Sequence, residues 1–217
     1  MARAFDRRLS LGVTRRLLGT RVEPNYMTLL STGIGLAGAL QFLLVDHVHE
    51  LAGASLIWLH TVLDGCDGEL ARLRFQESPF GSDLDFWTDN LVHLALFGSM
   101  GYGFYRASGD SLDLSLALAA NLGVLSSAGL AFWRRIQRRR QEAHGEASAE
   151  ALPPGLLQRI ESFLAQRDFI YLLLILASWN LTHMFLWAGA IGAPLFFIFM
   201  LAAGKSSLPP EMQSAAT

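Results

Sequence analysis

Among the 217 residues there is a single cysteine, Cys66. An intrachain disulfide is therefore excluded, and so is a metal site assembled from thiolates. Charge is scarce too: Asp, Glu, Lys and Arg make up 17% of the chain and almost cancel, to a formal net charge of −2. The near-neutral total says little about partners, because the charges are segregated along the sequence; no nucleic-acid partner is expected. Met1 to Arg21 is basic but lacks the apolar core of a signal peptide, so no cleaved leader is expected. Internal repeats and strand-like alternation are also missing, which points to an all-α chain.

What is abundant is apolar surface, 52% of the residues. A helix needs roughly 20 mostly apolar residues to cross a bilayer. Stretches near 27–45, 51–71, 84–104, 112–133, 169–185 and 187–203 approach that length. The expected architecture is a polytopic membrane protein of six transmembrane helices in one domain, 1–204, followed by a disordered tail at 205–217. The last two spans are short and join through Asn180 to His183, as a helical hairpin would.

Basic residues set the orientation. The arm up to Arg21, the loop with Arg72 and Arg74, the segment from Arg134 to Arg167 and Lys205 all fall on one side of a six-span layout. That side holds 16 of the 17 Lys and Arg residues, and the other holds Arg106. Both termini and the loop between the second and third spans are therefore expected on the cytoplasmic side, of the inner membrane in a bacterium. Within residues 1–21, Phe5, Leu9, Val13 and Leu17 recur every fourth residue between arginines, the pattern of an amphipathic surface helix. A disordered arginine-rich arm is the alternative. Residues 134–168 read as a cytoplasmic linker between the fourth and fifth spans, flexible through 141–155 and ended by Pro153, Pro154 and Gly155.

The segment VLDGCDGELARLRFQESPFGSDLDFWTDN, residues 62–90, contradicts its apolar flanks. Asp64 and Asp67 are three apart and share a helix face; Asp85 and Asp89 are four apart and share another. An antiparallel hairpin of the second and third spans would bring the four together, each up to about 12 Å from the loop. Four adjacent carboxylates need neutralising partners. An all-oxygen set favours Mg²⁺, Mn²⁺ or Ca²⁺ over zinc. Two such ions about 3.5–4 Å apart form a clamp for phosphoryl chemistry. Gly68 and Ala71 would let a nucleotide approach the backbone, and Arg72 could pair with a phosphate through its planar fork. Gly81 also reads as a turn residue after Pro79, and Asp83 as a helix cap off the paired face.

Other residues are read more plainly. Glu69 is expected on a solvated face and Cys66 in packing. His47, His49, His60, His93, His144 and His183 show no mutual ligand spacing and are expected in the core or at the lipid boundary. The basic cluster 134–140 suits anionic lipid headgroups. The competing reading has Arg134, Arg138 or Arg167 reach a phosphate on an acceptor.

Asp64-x2-Asp67-Gly68-x2-Ala71-Arg72-x8-Gly81-x3-Asp85-x3-Asp89 resembles, without gap or substitution, the signature of the CDP-alcohol phosphotransferase family. EPNYMT at 23–28 is similar to that family's Pro-Asn-x-x-Thr entry to its first span. The resemblance implies transfer of a phosphoalcohol group from a CDP-alcohol to an acceptor hydroxyl, with release of CMP. It implies two divalent cations, Mg²⁺ or Mn²⁺, on Asp64, Asp67 and Asp85, with Asp89 near them and acting as general base. It places the cytidine and diphosphate along Asp67, Gly68, Ala71, Arg72 and Gly81. It further implies a homodimer, with an active site open to the cytoplasm and sideways to membrane lipids.

The variable letters in LDGCDGELARL look closest to the membrane domain of bifunctional enzymes that make and use CDP-inositol. A 217-residue chain has no room for their cytidylyltransferase domain, so a separate protein is expected to supply a CDP-polyol. CDP-diacylglycerol with an inositol or glycerol phosphate acceptor is the other substrate pairing. An ion or metal transporter is a remaining possibility of a different class, and it would spread acids over several helices and depths.

Overall fold

The computed structural model describes residues 2–20, 22–143 and 168–205, and every element among them is helical. The helices are α1 (Ala2–Leu17), α2 (Pro24–Gln41), α3 (His47–Leu73), α4 (Pro79–Ser108), α5 (Ser111–Ala143), α6 (Asp168–Ser178) and α7 (Thr182–Lys205). All six apolar stretches fall on helices. His144, the flexible linker beyond Ala143, Arg159, Arg167 and the tail beyond Lys205 lie outside the described residues.

Local chemistry sets the ends. Pro24 and Pro79 occupy first-turn positions, where a missing N–H costs nothing. Asp46 caps α3 by accepting from the Val48 and His49 N–H groups, both at 3.0 Å. Ser78 caps α4 through Gly81 N–H at 3.0 Å. Gly109, at φ 75°, closes α4, and Asn180, at φ 58°, closes α6 in the left-handed region that Gly and Asn tolerate. The turn thus falls at 179–181, so α6 ends and α7 begins earlier than the apolar runs suggested. The fourth apolar run was expected to give way to linker at Arg134, but α5 continues to Ala143. Arginine and glutamine are good helix formers, so the basic cluster prolongs the helix instead of ending it.

The packing corrects one expectation. α3 and α4 do not form a hairpin in contact along its length; each packs against α2, which lies between them. Small residues permit this. A Cβ on Gly35 would sit 2.8 Å from Val92 of α4 and 2.9 Å from the His60 ring of α3. The ring of contacts then closes through α4–α5, α5–α7, α7–α6 and α6–α3. Phe97, Leu173, Phe185 and Leu186 fill its centre. Outward, Leu118, Leu122, Leu125, Ile191, Leu195 and Ile198 stay exposed. Two of the described helices, within Ser111–Gln141 and Thr182–Ala202, are long and apolar enough to cross a bilayer.

α1 lies alongside α3. Its polar stripe faces inward: Asp6 accepts from Trp58 Nε1 at 3.3 Å and from the Tyr171 hydroxyl at 2.5 Å, and Ser10 and Thr14 are buried. Val13 and Leu17 pack on Met27, Cys66 and Leu70, while Leu9 is exposed.

Candidate functional site

The site lies where the C-terminal end of α3 and the N-terminal end of α4 meet across α2. From α3 come Asp64 and Asp67, each 5% exposed, and from α4 comes Asp85. One carboxylate oxygen from each of these three lies within 4.8 Å of the others. A single divalent cation can bridge oxygens at that separation, because hard cations take carboxylate ligands at about 2.0–2.6 Å. The donor set is all oxygen, so the residues fit Mg²⁺ or Mn²⁺. Asp89 sits one turn beyond Asp85 and outside that trio, with Oδ1 3.5 Å from His60 Nε2.

α2 holds the trio in place. Thr28 donates its hydroxyl to Asp67 Oδ2, and the Gly68 N–H donates to Asp67 Oδ1 at 2.5 Å. Thr28 is the last residue of EPNYMT, and Asn25 of the same stretch approaches Gly81. A Cβ on Gly81 would lie 3.1 Å from Asn25 Oδ1 and 3.1 Å from Ser78 Oγ. Gly81 is inside the first turn of α4 and not in a positive-φ turn, so the turn reading is replaced by a close-approach one. Arg72 folds back so that its guanidinium would meet a Cβ on Gly68 at 3.4 Å. Gly68, Ala71 and Arg72 therefore line one side of α3, next to the carboxylates.

Glu69 and Arg74 tie α3 to α1 and the segment that follows it. Glu69, expected on a solvated face, accepts from Ser10 Oγ at 3.0 Å and from Thr14 Oγ1 at 2.9 Å. Arg74 donates to the Leu17 and Thr20 carbonyls, both at 2.7 Å, and to that of Val22 at 2.5 Å. A guanidinium at the carbonyl end of α1 satisfies orphan acceptors and complements the helix dipole. The partners lie more than fifty residues away in sequence, so no local pattern could announce either contact.

The histidines have specific partners as well. His49 pairs with Asp46, His93 Nδ1 contacts the Asp89 carbonyl at 2.8 Å, and His183 Nε2 meets buried Asp113 at 2.7 Å. His60 is treated below.

Beside the site, Arg134, Arg135, Arg138 and Arg139 of α5 line a cavity of about 540 Å³ with Ser82 and Met200. Ser82 is three residues before Asp85, so cavity and carboxylates are about one helical turn apart along α4. Arg139 is committed to Asp83, at 2.8 Å and 3.0 Å, and Arg135 reaches the same carboxylate at 3.5 Å. The Arg139 hydrogen bonds and the two guanidinium charges hold the Asp83 carboxyl below the ordinary carboxylate range. Asp83 thus ties α4 to α5 and does not act as a cap. Arg134 donates to the Met200 carbonyl at 2.5 Å, and Arg138 completes the basic wall.

The chain is similar to known proteins over most of its length. Residues 21–196 match the model of the family described as CDP-alcohol phosphatidyltransferase. The chain is 30% identical over 213 residues to a phosphatidylinositol phosphate synthase of Corynebacterium glutamicum, covering 94% of this chain and 87% of that protein. It is 39% identical over 97 residues to a bifunctional IPC transferase and DIPP synthase of Rubrobacter xylanophilus, covering 43% of this chain and 22% of that one. The fold matches the crystal structure of Mycobacterium tuberculosis phosphatidylinositol phosphate synthase with CDP-DAG bound, with TM-score 0.61 and 22% identity over 90% of this chain and 92% of that one. The same mycobacterial enzyme in complex with manganese and citrate gives a TM-score of 0.56 at 23% identity, over 89% of this chain and 87% of that one. With the motif intact and the match spanning most of its length, the chain belongs to the CDP-alcohol phosphatidyltransferase family.

Proposed function

We propose that this membrane transferase moves a phosphatidyl group from CDP-diacylglycerol to a hydroxyl of an inositol phosphate, releasing CMP. The observation that carries the reading is the convergence of Asp64, Asp67 and Asp85 one turn from a cavity walled by four arginines. A carboxylate cluster alone fits any CDP-alcohol. The basic cavity favours an acceptor that itself bears a phosphate. The near full-length similarity to phosphatidylinositol phosphate synthases supports the same pairing.

In this reading Asp64, Asp67 and Asp85, with Asp89 adjacent, would hold two divalent cations, Mg²⁺ or Mn²⁺. When bound, these neutralise the donor diphosphate and stabilise the departing CMP. Gly68 and Ala71 leave room for the nucleotide, Gly81 and Asn25 border it, and Arg72 pairs with a donor phosphate. Arg134 and Arg138 grip the acceptor phosphate. Asp89 takes the proton as the acceptor oxygen bonds to the phosphorus carrying the lipid and the phosphoanhydride bond breaks. Arg167 lies outside the described residues and adds nothing to this account.

The same reading includes six spans, with termini and site on the cytoplasmic side, and the homodimer expected of the family. The 16-to-1 distribution of basic residues supports the sidedness. At 27 and 30 residues, α3 and α4 exceed the length a bilayer requires. A second reading, use of a CDP-polyol donor, is favoured by the 39% identity to the bifunctional enzyme over the segment they share.

The test is CMP release by the purified protein with Mn²⁺. CDP-diacylglycerol with inositol phosphate is expected to support turnover, and Asp89→Asn to abolish it. Turnover with a CDP-polyol and none with CDP-diacylglycerol would transfer the assignment to the second reading. Arg138→Ala is expected to raise the KM for the acceptor about 10-fold or more, the cost of one charged hydrogen bond, without changing that for the donor.

A further inference from the structure

We propose that His60 is a positioning residue for Asp89, meeting its carboxyl as that group takes the acceptor's proton. This rests on the general-base role given to Asp89 above. His60 lies outside the aspartate motif, one turn before Asp64 on α3, and is 4% exposed. Its Nδ1 is 2.9 Å from the Ser31 carbonyl on α2. A carbonyl can only accept, so Nδ1 carries the hydrogen and Nε2 is the end presented to Asp89, 3.5 Å from Oδ1.

The ring has little freedom to leave that position. It lies in the notch at Gly35, where a Cβ would come within 2.9 Å of its Cγ, and the same notch admits Val92 of α4. Three helices thus converge on one imidazole: α2 supplies the carbonyl and the notch, α3 the histidine, and α4 both Val92 and Asp89. The Asp89 side chain is 36% exposed, so part of it meets the ring and part remains open.

The consequence is chemical. In the tautomer that carries its hydrogen on Nδ1, the ring meets Asp89 with the Nε2 lone pair. As the reaction proceeds the acceptor O–H bond breaks, a new O–H bond forms on Asp89, and that hydrogen can be donated to Nε2. The contact therefore strengthens as the proton moves, which lowers the barrier more than it stabilises the ground state. Catalytic contacts of this kind are commonly long before substrate binds and shorten in the complex.

Two variants separate this role from packing. His60→Asn keeps a donor for the Ser31 carbonyl and removes the end that meets Asp89. His60→Gln reaches toward Asp89 instead. His60→Asn is expected to lower kcat about 10- to 100-fold, the usual cost of losing such a supporting partner. The donor KM, and Mn²⁺ affinity measured by paramagnetic resonance without substrate, are expected to stay unchanged. His60→Gln is expected to recover turnover above the Asn variant. Parental kcat in His60→Asn overturns the proposal. So does a loss that Gln does not recover, or one that tracks Mn²⁺ affinity. Asp89→Asn, assayed alongside, separates the two layers: if it still releases CMP, the general-base reading itself has failed. If Asp89→Asn is inactive while His60→Asn is not, only the His60 proposal has.

Discussion

The Thr28 hydroxyl of α2 donates to Asp67 Oδ2 of α3, so a carboxylate of the metal-fitting trio takes its orientation from a neighbouring helix. Outer partners of this kind typically cost 10- to 100-fold in metal affinity or activity when removed. Thr28→Val keeps the shape and deletes the donor. It is expected to weaken Mn²⁺ binding by about that factor, read by titration, while Thr28→Ser retains most of it.

Glu69 is expected to matter for stability beyond what its exposed-looking motif slot suggests. Its two oxygens serve Ser10, 4% exposed, and Thr14, fully buried. Glu69→Leu removes the carboxylate acceptor that both hydroxyls share, and weakening the partnering of a buried polar group costs up to about 1–3 kcal/mol. A lower Tm in detergent is expected, with earlier proteolytic release of α1.

Glycines give a paired prediction. A Cβ on Gly103 would lie 2.1 Å from the Phe42 carbonyl oxygen, a backbone atom that cannot turn aside. Gly103→Ala is expected to destabilise by about 1–3 kcal/mol through overpacking. Gly129 has nothing within 4 Å of the same position, so Gly129→Ala is expected to be neutral or to gain up to about 1 kcal/mol of helix propensity. Thermal unfolding of the two variants side by side checks the contrast.

The Asp83 tie is expected to fail in acid. Its folded-state pKa is lowered, first by the Arg139 hydrogen bonds, so its stabilising effect is present above the ordinary carboxylate value, about 3.9. As pH falls through the lower folded value the carboxylate protonates and that effect is lost. The Tm difference between the parent and Asp83→Asn is thus expected at neutral pH and should vanish in strong acid. A difference that persists there would mean that packing, not charge, accounts for it.

Sequence made some of this legible and hid the rest for physical reasons. The aspartates were readable because three- and four-residue spacings on a helix dictate a shared face whatever the tertiary fold. The helices were readable because the apolar runs have helical length, and two of those described are long and apolar enough to cross a bilayer. The wedge of α2 between α3 and α4 was not, since it depends on how near helices can pass at Gly35, a property of pairs and not of a local string. Glu69 was misjudged likewise: a carboxylate next to the motif looks the same whether its partner is water or a hydroxyl more than fifty residues away. His60 is buried as expected, but its partner on α2 was not legible. The membrane-class alternative, a transporter, falls with the family match, and the clustering of acids on two helix ends had already argued against it.

Because α2 separates the two acid-bearing helices, the calibre of the catalytic mouth is dictated by an element that contributes none of its carboxylates. Thickening α2 at Gly35 would spread Asp64 and Asp67 from Asp85 while leaving every reacting group chemically intact.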